Sequence, residues 1–92
     1  MISIFIIGMA VLLGSVVTIV TTALVNALFL RNEIKNRYKE AAKAIIKSKD
    51  VNVVYVDVYN QDNKKIQELE IKSETGIDNS ISEGQTYKIQ FL

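Results

Sequence analysis

Hydrophobic and polar positions along this chain fall into three regimes. In residues 2–30 no side chain carries a formal charge, and the apolar run is interrupted only by Gly, Ser, Thr and Asn. In residues 31–49, Ile34, Tyr38, Ala41 and Ile45 recur with the four-three-four spacing of one helical face, which Ala42 and Ile46 widen. After Asp50 the period shortens to two. Val54, Val56 and Val58 alternate with Val53, Tyr55, Asp57 and Tyr59, and the stretch 66–73 (IQELEIKS) alternates again with Leu69 and Ile71 in phase. The stretch 85–92 (QTYKIQFL) reads as a third strand. Residues 60–65 form a polar turn cluster, and Ile66 is out of phase, which implies a bulge or a late strand start. Residues 74–84 read as a loop in which Gly76 and Gly84 can take positive φ.

Length assigns the first regime. A single helix crosses a bilayer with about 20 apolar residues, and an unpaired strand in lipid would leave its backbone unsatisfied. The expected fold class is therefore an α+β membrane protein. A transmembrane helix (1–30) continues into a basic amphipathic juxtamembrane helix (31–49), followed by a small three-stranded antiparallel β-meander (50–92). A cleaved signal ending near Val25-Asn26-Ala27 is the weaker alternative, because no basic segment precedes the run and the run is too long. Within the span, Ala10, Gly14, Thr18, Thr22 and Asn26 recur every four residues as a ridge of small and polar side chains, the kind along which two helices approach closely. The β module is too small to be stable without help, since it has no disulfide or metal staple. Val54, Val56 and Val58 are thus expected to form a contact face for a second copy or a partner protein. The alternative is that the 76–82 loop adds a fourth short strand, with Ile77 and Ile81 as plugs.

Charge adds an orientation. The chain has 11 Lys/Arg and 10 Asp/Glu, all of them beyond residue 30. Arg31, Lys35, Arg37, Lys39, Lys43 and Lys47 follow the apolar run closely, so the positive-inside rule predicts a single-pass protein of the cell membrane, its N-terminus outside and its C-terminus cytoplasmic. These six residues are the expected membrane-surface contacts. Lipid, self-association or a larger membrane protein are the expected partners. No Gly-rich loop or aromatic stacking platform accompanies the basic residues, so nucleic acid is not expected.

The candidate chemistry is sparse. The chain has no Cys and no His, which removes thiolate and imidazole catalysis and zinc sites built on those ligands. Glu68, Glu70 and Glu74 alternate along one strand and its end, the pattern of a solvated face. Asp57, Asp62, Asp78 and Glu83 lie near turns without EF-hand spacing. Ser48-Lys49 and Lys72-Ser73 are sequence neighbours and point apart. No catalytic residue, cofactor, metal or small-molecule substrate is expected, and the protein reads as one that acts by protein contact, as an accessory or assembly subunit of a membrane complex.

In outline, an apolar helix, an amphipathic helix and a small sheet resemble type IV pilins and pseudopilins, which would place the β module outside. The chain lacks that family's basic leader ending in Gly and its Glu at the fifth mature position. A single span with a short charged tail is also similar to holins and immunity-type small phage or bacterial membrane proteins.

Overall fold

The computed structural model describes residues 16–89. Within them the chain forms β1 (Val16–Thr21), α1 (Ala27–Arg37), β2 (Ala41–Lys49), β3 (Val53–Asn60), β4 (Lys65–Ser73) and β5 (Thr86–Lys88). The strands make one sheet in the order β1-β4-β3-β2-β5. β2, β3 and β4 are an antiparallel meander, β5 lies antiparallel to β2, and β1 runs parallel to β4. β1 and β2 therefore run in the same direction with two strands between them, and α1 carries the chain across one face of the sheet from one to the other.

Of the expected span through residues 1–30, residues 1–15 lie outside the described residues, and the described part, 16–30, is not a continuous helix. Val16–Thr21 is a strand, residues 22–26 are irregular, and α1 contains Arg31, Glu33, Lys35 and Arg37. Among the described residues no helix is long and apolar enough to cross a membrane. The physical reason lies in β1 itself. All of its residues are β-branched, and a strand's backbone groups are satisfied once β4 pairs with it. The single-pass localisation, with the N-terminus outside and the C-terminus in the cytoplasm, rested on that span and falls with it. The pilin-like and holin-like outlines lose the long helix on which they were drawn.

The amphipathic helix expected over residues 31–49 is corrected too. α1 opens at its N-cap, Asn26, whose Oδ1 accepts from the Phe29 amide at 2.9 Å. It closes at Tyr38, whose amide donates to the Ile34 carbonyl, with Lys35 and Arg37 in the last turn, where cations favour the helix dipole. Ala41–Lys49 is then a strand, although Ala and Lys are good helix formers. Two register shifts, between Ala41 and Lys43 and between Ile46 and Ser48, reset the phase, so Ala41, Ala44 and Ile46 are buried without a plain period of two. Pairing with β3 on one side and β5 on the other outweighs local propensity.

The meander is corrected as well. The hairpin of β3 and β4 forms, turning on Asn60, whose Oδ1 accepts from the amides of Asp62 and Lys64, and on Asn63 at φ 66°. Its register shift skips Ile66, the residue whose phase was irregular. The last strand does not add beside β4, because β1 occupies that edge, and it pairs with β2 instead.

One face of the sheet holds the core. Ile19, Ala44, Ile46, Val54, Val56, Val58, Leu69, Ile71 and Tyr87 meet Leu30 and Ile34 of α1, together with Val25, Ile77, Ile81 and Ile89 from the connections. The segment 74–85 is held by polar contacts. Val25 and Ile77 form an isolated parallel bridge, Gly76 takes φ 116°, and the Lys49 ammonium donates to the carbonyls of Asp78 (3.1 Å) and Ile81 (2.7 Å). Ser73, the one buried polar residue among the described residues, donates to the Ala23 carbonyl and accepts from the amides of Thr75 and Gly76, so its burial leaves nothing unpaired.

The helix assignment has a direct test. Ile34→Ala is expected to cost about 2–5 kcal/mol and Asn26→Ala about 1 kcal/mol, while Leu28→Ala, at a position 65 % exposed, changes stability by no more than about 0.5 kcal/mol, all read by urea unfolding. A larger loss at Leu28 than at Ile34 would show that the wrong face of α1 has been placed inward.

Candidate functional site

Among the described residues no helix packs on the second face of the sheet, which strand alternation makes the more polar one. β1 presents Val16, Thr18 and Val20 there, β4 presents Glu68, Glu70 and Lys72, β3 presents Tyr55, Asp57 and Tyr59, and β2 presents Lys43, Ile45 and Lys47. Val20 is 72 % exposed, Val16 47 % and Tyr55 36 %. A shallow hollow in this face is lined by Val16, Lys47, Ser48, Tyr55, Asp57 and Glu68 among others.

Glu70 sits at the centre of the polar pattern. Thr18 Oγ1 donates to its Oε1 at 2.8 Å, and Tyr55 Oη donates to its Oε2 at 3.0 Å, which ties β1, β4 and β3 together across the open face. Both bonds favour the ionised acid, so Glu70 is held below the usual carboxylate range, Thr18 contributing most. The same contact raises Tyr55, first through its hydrogen bond to Glu70 and then through that residue's charge.

Beside it, Asp57 and Glu68 are directly opposite across β3 and β4. Two carboxylates so placed repel unless a cation intervenes. Lys65 intervenes, its Nζ 2.6 Å from Glu68 Oε2 and 4.0 Å from Asp57 Oδ1, and Lys47 lies 3.8 Å from Glu68 Oε1. The Lys65 hydrogen bond, followed by the charge of Lys47, lowers the Glu68 pKa, so this carboxyl is a poor proton donor near neutrality. Asp57 Oδ1 is buried and accepts no hydrogen bond among the described residues. Lys43 stacks over the Tyr59 ring, 5.4 Å from its centroid, and completes the rim on this side. Among the described residues no group of three or more His, Cys, Asp or Glu is arranged to hold a metal ion.

The residues singled out from the sequence are dispersed. Of the small-residue ridge, Ala10 and Gly14 lie outside the described residues, Thr18 faces the open side, the Thr22 carbonyl accepts from Thr75 Oγ1, and Asn26 caps α1. Of the basic set, Arg31 lies over the Tyr87 ring at 5.5 Å, Lys35 is exposed on α1, Arg37 pairs with Glu33 at 3.1 Å, and Lys39 borders a polar hollow with Glu40, Asn60 and Asp62. Lys43 and Lys47 are on the opposite face of the sheet, so the six form no common surface. Val54, Val56 and Val58 are fully buried, in a core where α1 contributes Leu30 and Ile34 and the 74–85 segment contributes Ile77 and Ile81. Sequence reasoning missed the Thr18–Glu70–Tyr55 set. Glu70 and Tyr55 had the right phase on their strands, but Thr18 was assigned to a helix.

No family model matches the chain, and neither curated proteins nor solved structures give a match to it.

The carboxylates set an acid limit. A lowered folded pKa contributes stability that is fully present above the unfolded value, about 4.5 for glutamate, and is lost as pH falls through the folded value. The Tm of the wild-type chain is expected to fall as pH drops below the unfolded carboxylate range, and to fall less in Glu70→Gln, which removes one of the contributions, those of Glu68 and Asp78 remaining. Equal slopes in the two proteins would show that the Thr18 and Tyr55 bonds do not favour the ionised form.

Proposed function

We propose that this chain is a contact module that binds another protein through the open face of its sheet and does no chemistry of its own. The observation that carries this reading is the composition of that face. Val16, Val20 and Tyr55 are exposed apolar and aromatic groups set around Thr18 and Glu70, and ion-paired or hydrogen-bonded side chains lie between and beside them. Exposed aliphatic and aromatic groups interleaved with polar groups that already hold partners are a composition suited to a protein interface. These polar groups are also pre-ordered. Glu68, Glu70 and Tyr55 already hold partners, so less side-chain freedom is lost on association.

The carboxylate pair suits this role better than catalysis. A dyad working by acid–base chemistry needs one member able to give up a proton near the working pH, and Lys65 holds Glu68 ionised. Lys65 also occupies the position between the two acids that a substrate would need.

Complementation of a gene deletion separates the two classes. The double variant Val20→Asp/Tyr55→Ala is expected to lose function while keeping its Tm within a few degrees, since both side chains are exposed. The isosteric amides Asp57→Asn and Glu68→Gln are expected to retain function. Loss with either amide alone, together with full function in the double variant, would overturn the contact reading in favour of chemistry at the carboxylate pair.

A further inference from the structure

The two edges of the sheet are finished differently. At one end β5 is three residues long and includes the exposed Lys88, and the rest of β2 is engaged by the closing segment. The Ile46 amide donates to the Gln85 carbonyl, the Gly84 amide to the Ile46 carbonyl, and the Ile89 amide to the Ala42 carbonyl. At the other end β1 has, among the described residues, a strand neighbour on one side only. Its six residues, Val-Val-Thr-Ile-Val-Thr, pair with β4 in unbroken register and include no charge, no proline and no bulge. Sheet edges left in this state are templates for a further strand, and proteins usually blunt them with lysine, proline, a bulge or shortness.

The order of residues in β1 indicates which strand fits. Read outward from Thr18, the flanking pairs are Val17 with Ile19 and Val16 with Val20, so the segment is chemically the same in both directions. Two copies related by a twofold axis perpendicular to the sheet pair antiparallel and keep their faces. Residues that point to the open side must then meet residues that point to the open side. Centring the pair on Thr18 does this throughout. On the open face Val16 meets the second copy's Val20 and Thr18 meets its own equivalent, while on the core face the half-buried Val17 meets Ile19. Centring on Ile19 would oppose Thr18 to Val20 and Val17 to Thr21, a polar–apolar mismatch on each face. Charge does not oppose the match either. The two Glu70 carboxylates would lie three strand spacings apart, about 14 Å, which exceeds the Debye length of about 8 Å at physiological salt.

We propose that β1 pairs antiparallel with β1 of a second copy, centred on Thr18, so that the two sheets join into one. Val16 and Val20 belong to both readings, so Tyr55, which lies on β3 two strands from this edge, separates them: loss of function in Tyr55→Ala with the dimer intact bears on the open face alone, and loss of the dimer in Val20→Lys bears on the edge.

The test uses the full chain, which has no native cysteine. Directly opposed residues of an antiparallel pair have Cα atoms about 4.5–5.5 Å apart, within the disulfide range of about 4.4–6.8 Å. Thr18→Cys is therefore expected to form a disulfide dimer under mild oxidation. A mixture of Val16→Cys and Val20→Cys chains is expected to cross-link, whereas Val16→Cys alone is not. By sedimentation equilibrium the wild-type chain is expected to dimerise. Val20→Lys should weaken the dimer by about tenfold or more, and Tyr55→Ala should leave it unchanged. A wild-type monomer at tens of micromolar, or a mixture that cross-links no better than Val16→Cys alone, would overturn the proposal and mean that the edge is closed in another way.

Discussion

The parallel pairing of Val16–Thr21 with residues 68–73 constrains nearly everything else in the molecule. Parallel neighbours cannot be joined by a tight turn, and β2, which also runs parallel to β1, lies two strands further in. The chain leaving β1 must therefore cross the sheet, and α1 makes the crossing. The exits from the paired strands stay together. The Glu74 amide donates to the Thr21 carbonyl, Thr75 Oγ1 to that of Thr22, Ser73 Oγ to that of Ala23, and the Val25 amide to the carbonyl of Gly76. This ladder delivers Asn26 to the helix N-cap and places Leu30 and Ile34 in the core.

Among the described residues a single helix and one long connection cover one side of the five-stranded sheet and leave the two faces different. The covered side is built almost wholly of aliphatic groups, with Ser73 as its satisfied polar exception. The open side is organised by charge and hydrogen bonds. Glu70 collects hydroxyls from both neighbouring strands, and Lys65 separates two acids that the register sets opposite each other. The apolar groups remaining there, Val16, Val20 and Tyr55, have no core to join, and that is why they stand out as a surface for association.

The legible parts of the sequence were those whose signal is short-range. The valine alternation of β3, the polar turn after it and the irregular phase at Ile66 could be read because each depends on residues only a few positions away. β2 is not legible because two bulges hide its alternation and Ala41, Ala42 and Ala44 favour helix locally. Asn26 was seen as one member of a small-residue ridge, although Asn before an apolar stretch is equally an N-cap signal. The open-face set was half visible. Glu70 and Tyr55 shared a face by phase, but their link to Thr18 required a strand 52 residues earlier in the chain.

By itself, then, the sequence determined where the hairpin of β3 and β4 turns, which side of those strands is apolar, and the absence of thiol and imidazole chemistry. All of these follow from residue identity and spacing of two to four positions. The tertiary structure alone decided that residues 16–21 are a strand, that residues 41–49 are a strand, and that the last strand pairs with β2. An apolar β-branched run satisfies its backbone equally well as a helix or beside another strand, and only the arrival of β4 at its side selects the second.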